Sequence, residues 1–169
     1  MEKNLDRAEK AARQWREERP DIEVGPMVLL GRLQEAALVI ARDKLNPLFA
    51  EYGLQPGEFD VLATLRRSGT PYMLTPTALY NTAMISSGSM TNRIERLEKA
   101  GLVSRNAHPT DGRGSLVALT DTGFALIEEM IGVHVKNQKS ILRTLSKAEQ
   151  AQLSALLEKL LADQCPPVE

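Results

Sequence analysis

Five polar residues along one short stretch of this 169-residue chain have the chemistry to touch a nucleic acid: Ser87, Ser89, Thr91, Asn92 and Arg96. Hydroxyls and a carboxamide can bond phosphate oxygens and base edges, and a guanidinium can bond either. All five fall on the exposed side of a helix predicted from Met90, Ile94 and Leu97. Those three repeat at i, i+4 and i+7 and form one buried stripe. From Val61 to Ile94 there is no Asp or Glu, although Arg66, Arg67 and Arg93 are present. An acid-free window avoids repelling phosphates. The competing reading is a capped amphipathic helix pair of any α-helical protein, and the residue types weigh toward DNA.

Something must hold that helix in place. Thr75 is an N-cap candidate with Pro76 at the first helical position, so a short helix runs through Leu79 to Ala83. Thr75, at the mouth of this helix, is counted among the DNA-facing residues. The chain breaks near Ile85, and Ser86 or Ser87 can cap the second helix. Gly101 ends that helix, with Lys99 in its last turn. Two short helices joined by a tight turn make a helix-turn-helix pattern. Two strands follow, near Leu102–Arg105 and Ser115–Leu119, around the turn chemistry of His108-Pro109-Thr110-Asp111-Gly112. A hairpin in this place is a wing, and Arg113 at its tip is expected to enter a neighbouring minor groove.

Composition sets bounds on the rest. Net charge is −1 and aromatics are 4 %, so any DNA contact comes from a local patch, and helix-on-helix packing is favoured over a large sheet. No apolar run approaches the ~20 residues of a membrane span, and the charged N-terminus has no secretory pattern, so a cytoplasmic protein is expected. Cys165 is the single cysteine and sits in a terminal CPP tail, where an inert thiol is the simplest reading. With only His108 and His134 beside it, no metal is expected. There is no nucleotide-binding glycine loop and no convincing nucleophile constellation, so an enzyme is not expected and no cofactor is implied.

The outer segments read as helices. Leu5, Ala8, Ala12 and Trp15 make one stripe of a charged helix over 5–18 that ends at Arg19-Pro20. The residues alone favour Trp15 as an anchor of that helix over a lid on a small molecule. Met27 to about Glu51 reads as a long helix, kinked or briefly broken at Asn46-Pro47. A further helix opens after Gln55-Pro56 and ends at Gly69. Within it Asp60 lies against an apolar face and needs a partner, for which Arg32, Arg93 and Arg105 are candidates. Thr120 caps a long helix to about Leu145, and Ser146 with Glu149 forms a capping box for the last helix. Its Leu153, Leu156, Leu157, Leu160 and Leu161 make a stripe too wide for a two-helix hairpin to hide, so a two-fold homodimer is predicted.

Helix, helix-turn-helix, wing and terminal dimerising helices in this order resemble the MarR family of transcription regulators, over roughly Val28 to Asp163. The most specific segment is SSGSMTNRIERLEKAGLVSR followed by PTDGRGSLVALTDTG. The family's wing usually carries Asp-Arg-Arg or Asp-x-Arg, whereas here Asp111-Gly112-Arg113 lacks the middle cation. QWREERPDIEVGPM and EFDVLATLRRSGTPYMLTPTALY are similar to the urate-responsive subgroup, which has an extra N-terminal helix bearing a Trp. That likeness implies Trp15, Asp60, Arg93 and Arg105 as ligand residues, with Trp15 and its helix carrying most of its specificity.

The fold expected is mainly α with a small β-hairpin wing, a winged helix-turn-helix with long N- and C-terminal dimerisation helices. Residues 1–24 would be an extension helix, 25–54 the first part of a dimerisation and pocket region, 55–120 the DNA-binding domain, 121–163 the C-terminal dimerisation helices and 164–169 a tail. The expected partners are a pseudo-palindromic double-stranded DNA operator, a second copy of the chain and a small anionic effector that releases a repressor. An architectural DNA binder without ligand and a protein-interaction dimer are the alternatives.

Overall fold

The computed structural model describes residues 6–83, 90–107 and 114–164, which form two units, Met1–Pro47 and Leu48–Glu169. In the first, α1 (Arg7–Glu18) packs on α2 (Gly25–Ile40). The Asp6 carboxylate caps α1 by accepting the Glu9 N–H at 2.8 Å, and also accepts from Arg32 Nε at 2.8 Å. These donors hold it below the usual carboxylate range, the Glu9 N–H contributing most. Ala12, Val24 and Val28 form the small core, flanked by Ala8 and Ile22. Trp15 stays outside it with 44 % of its surface exposed, so Ala12 is the residue of α1 that anchors the helix in this core.

The helix expected over 27–51 is divided differently from the sequence reading. A π turn, Ala41–Leu45, follows α2, and α3 (Asn46–Glu51) continues from it. The Pro47 ring would crowd the carbonyl of residue 43 in a regular helix, and a wider turn before it relieves that crowding.

The second unit is built around α4 (Glu58–Arg67), which buries Phe59, Val61, Leu62, Thr64 and Leu65. It packs against α5 (Pro76–Thr82), α6 (Met90–Lys99) and α7 (Asp121–Ile141). The sheet has three antiparallel strands where the sequence suggested two. β2 (Val103–Ala107) pairs with β3 (Ser115–Leu119), Val103 opposite Leu119, and β1 (Met73–Leu74) adds to the far edge of β3 with Met73 opposite Ala118.

The approach to β1 is unusual. Tyr72 has φ +59, and its carbonyl accepts the Leu119 N–H at 3.1 Å. Arg66 lies over both the Tyr72 and Phe124 rings, 5.1 and 4.9 Å from their centroids, and bonds Glu128 at 2.6 Å. A residue with a bulky side chain and positive φ persists only where its surroundings hold it, and this stack does so.

Thr120 caps α7 as expected, accepting the Gly123 N–H at 3.0 Å and donating its hydroxyl to the Gly101 carbonyl at 2.7 Å. The helix stops at Ile141 and a single 3₁₀ turn, Leu142–Thr144, completes the segment expected to be helical to Leu145. The capping box forms: the Ser146 N–H donates to Glu149 at 2.7 Å, and the Glu149 N–H donates back to Ser146 Oγ at 3.3 Å. It opens α8 (Lys147–Gln164), whose Leu153, Leu156, Leu160 and Leu161 are all exposed.

Candidate nucleic-acid interface

Thr75 Oγ1 accepts the Ala78 N–H at 3.1 Å, with Pro76 in the first turn, so the cap read from the sequence sets the start of α5. On α6 the stripe Met90, Ile94 and Leu97 is buried, which leaves Thr91 and Asn92 on the exposed side. Gly101, at φ +71, closes the helix. The Leu102 N–H reaches the Leu97 carbonyl at 2.9 Å and the Gly101 N–H reaches that of Glu98 at 2.9 Å, a Schellman ending. Ser87, Ser89 and Arg113 lie outside the described residues. Tyr80 and Asn81 are exposed on α5, and sequence reasoning did not single them out.

Both arginines of α6 reach back to the start of α4. Arg96 Nε donates to Glu58 Oε1 at 2.7 Å, and the second oxygen of this 2 % exposed glutamate accepts the Gln55 N–H at 2.7 Å. The Arg93 guanidinium lies against Gly57, where a Cβ would stand 2.6 Å from Arg93 Nε. Gly57 has φ +85. Both the backbone and the space at this position therefore call for glycine.

Asp60 meets an arginine that the sequence did not suggest. Arg67 Nη1 stands 3.8 Å from Asp60 Oδ1, whereas Arg32 is bonded to Asp6 and Arg105 to Glu98. Residues seven apart on a helix share a face two turns apart, which brings Arg67 within reach. Arg67 Nη2 also donates to the Thr82 carbonyl at 2.6 Å, in the last turn of α5. Asp60 Oδ2 is buried with no hydrogen-bond partner among the described residues. Arg66 and Arg67, two of the three cations in the acid-free window, are thus engaged by protein groups.

Among the four residues implied by the resemblance, Arg93 lies at the N-cap of α4 and Asp60 in the first turn that follows. Arg105 on β2 faces Glu98 in the last turns of α6, at 3.2 Å. Trp15 belongs to the first unit. The functional candidates that sequence reasoning missed are Glu58 and, as the partner of Asp60, Arg67. The turn that Glu58 closes onto Gln55, across Pro56 and Gly57, was the available signal. Among the described residues no cluster of three or more His, Cys, Asp or Glu could hold a metal, and no helix is long and apolar enough to cross a membrane.

Two short helices with the second exposed along one side, followed by an antiparallel hairpin and braced by α4, define a winged helix-turn-helix DNA-binding protein. The MarR family profile matches residues 52–114. The transcriptional regulator PecS of Dickeya dadantii is 44 % identical over 147 residues, 87 % of this chain and 88 % of that one. The multiple antibiotic resistance protein MarR of Salmonella typhimurium is 31 % identical over 117 residues, 69 % of this chain and 77 % of that one. A cysteine-to-serine mutant of MarR from Escherichia coli, solved with operator DNA, superposes with TM-score 0.70 at 29 % identity, covering 87 % of this chain and 97 % of that one. The chain belongs to the MarR family of DNA-binding transcription regulators, and it is not an enzyme.

Proposed function

We propose that this protein is a dimeric cytoplasmic repressor that binds a pseudo-palindromic operator and is released from it by a small anionic ligand. The observation that carries the reading is α6 itself, which buries Met90, Ile94 and Leu97 and turns Thr91 and Asn92 outward. In a two-fold dimer, two such helices fit successive major grooves one helical turn (~34 Å) apart. Ser87 and Ser89 extend the same face by sequence, Thr75 stands at the mouth of α5, and Arg113 is assigned to the flanking minor groove. The exposed leucines of α8 supply a surface for the second copy. In domain terms, residues 55–120 read DNA and 121–163 pair the chains.

For the ligand, Arg93 and Arg105 offer guanidinium donors to an anion. Asp60, in the first turn of α4 that follows the Arg93–Gly57 contact, holds an oxygen with no donor among the described residues, which the N–H or O–H of a ring-shaped weak acid could satisfy. The likeness to the urate-responsive subgroup adds Trp15 and makes urate one candidate. Binding that favours a recognition-helix position out of groove register weakens DNA binding, and DNA weakens ligand binding by the same factor.

The test is a titration of the DNA upstream of the protein's own gene, alone and with urate and a panel of aromatic and carboxylic acids, repeated on Trp15→Phe and Arg93→Ala. Tight binding that a panel member releases, with release blunted in both variants, supports the reading. Tight binding that no acid releases favours an architectural DNA binder, and absence of binding at low salt favours a protein-interaction dimer.

A further inference from the structure

The buried stripe of α6 fixes which side of the helix faces inward, and one row of apolar contacts constrains roll and slide only weakly. Polar contacts on the flanks add to it: Glu98 with Arg105 at 3.2 Å, and Arg96 with Glu58, the more deeply buried of the two carboxylates. Glu58 is seated at the N-terminus of the most buried helix of the unit, next to Phe59, Val61 and Leu62, so its carboxylate has little room to move. One of its oxygens accepts the Gln55 N–H and the other accepts Arg96 Nε, both at 2.7 Å. A carboxylate with a 3 % exposed side chain, holding one donor on each oxygen, is a fixed point. Arg96 brings α6 onto that point.

We propose that Arg96 and Glu58 form a positioning pair for DNA recognition: Arg96 acts through Glu58 to set the roll and depth of the recognition helix, and Glu58, though acidic and buried, is required for operator affinity. The proposal rests on the DNA-binding reading and changes the part played by Arg96, which the sequence cast as a groove contact. The geometry favours positioning because Arg96 Nε, the donor nearest the chain, is committed to Glu58, and that commitment draws the guanidinium toward α4. A positioning pair has three signatures. Loss of either member weakens every DNA sequence by the same factor, loss of both is no worse than loss of one, and the number of phosphates neutralised stays the same.

The experiment starts with selection of preferred duplexes from a random library by the wild-type chain. Affinity is then measured over a range of salt for Arg96→Ala, Glu58→Met, the double variant and Arg96→Lys, well below each variant's melting temperature. Glu58→Met fills the same space without an acceptor. The expected result is a loss of about tenfold in each single variant and no further loss in the double. The preferred sequence and the salt slope should be unchanged, and Arg96→Lys, which keeps a cation near Glu58, should recover part of the affinity. A changed preference at one base pair, or a salt slope smaller by ~0.9 in Arg96→Ala alone, would make Arg96 a direct DNA contact and overturn the proposal. Unchanged affinity in folded variants would reduce the pair to a brace of the fold, and additive losses would also overturn it. If Arg96→Ala does not fold, Arg96→Lys and Glu58→Met decide between the same outcomes. Failure of the wild-type chain to select any sequence would remove the DNA reading beneath it, a result distinct from all of these.

Discussion

Arg67 donates to the carbonyl of Thr82 at 2.6 Å, and so ties the end of α4 to the last turn of the first helix of the helix-turn-helix. The same guanidinium stands 3.8 Å from Asp60. Asp60 thereby has a route to the DNA-binding helices that stays within α4 and does not run through α6. With Asp60→Asn, Arg67 loses its counter-charge and the Thr82 contact loosens. Operator affinity should fall by about two- to tenfold, the range of one partly exposed charge pair in a network. Arg67→Met should cost a similar factor, and the double variant no more than either. Anisotropy titrations of a labelled duplex at fixed salt read this directly, and additive losses would show that Asp60 and Arg67 act separately.

Two glycines carry packing that no other residue can. A Cβ on Gly123, in the first turn of α7, would be driven into the backbone carbonyl of Leu102, which also accepts the Thr120 N–H. Because backbone cannot step aside, Gly123→Ala should destabilise the second unit by more than ~3 kcal/mol, read as a shift of the urea midpoint. Gly57→Ala meets a flexible guanidinium but also adopts φ +85, so a smaller loss of ~1–3 kcal/mol is expected. Unlike Gly123→Ala, it should also blunt release of DNA by an acid ligand if Arg93 holds that ligand as proposed, because it displaces Arg93.

What the sequence made legible was the local chemistry. Thr75, Thr120 and Ser146 with Glu149 cap the helices they were assigned to, and the 3.6-residue period of Met90, Ile94 and Leu97 gave the inward face of α6. These features need only neighbours along the chain. What it hid depended on partners distant in space. β1 is two residues long, with no periodicity to read, and exists because Arg66 and Phe124 hold Tyr72 in place beside β3. Asp60 announced that it needed a cation, but Arg67, which shares its face of α4, was not among the arginines the sequence suggested. Glu58 read as an ordinary acid in a first helical turn, and only the fold buries it and brings Arg96 to it. The position of the π turn, just before Asn46-Pro47, shows the same limit at close range: the proline announces an irregularity, and packing decides which turn absorbs it.

His134 on α7 makes stability depend on pH. Its ring lies 4.5 Å from that of Phe59 and 5.8 Å from that of Phe49, and its Nδ1 is buried with no hydrogen-bond partner among the described residues. Burial favours the neutral imidazole and pulls its pKa below the ordinary value of 6.5. Above 6.5 the ring is neutral in both folded and unfolded chains and costs nothing. As pH falls below 6.5 the unfolded chain takes up the proton first, so stability declines, and this contribution levels off once pH passes the depressed folded value. His134→Phe keeps the aromatic stack and removes the proton. Urea titrations at pH 7.5 and 5.5 should show a smaller difference in the variant than in the wild-type chain, and an equal difference would place the acid sensitivity elsewhere.

The exposed leucines of α8 bear on the oligomeric state. Leu156 and Leu161 are 58 % and 56 % exposed, and Leu153 and Leu160 lie on the same helix at 42 % each. Four large apolar side chains within nine residues are more than a helix hairpin leaves in water without a partner, and a second copy offers the same surface by symmetry. A dimer joined here would bury leucines that add little to the fold of a single chain. Leu156→Glu with Leu161→Glu should therefore yield a folded monomer by sedimentation, with helical content intact. Because a pseudo-palindrome engages two recognition helices at once, the monomer should bind a full operator at least a hundredfold more weakly, while its affinity for an isolated half-site stays that of one arm. A double variant that remains dimeric would assign the pairing to another surface and leave these leucines unexplained. A monomer that keeps full operator affinity would show that DNA binding does not need the second copy.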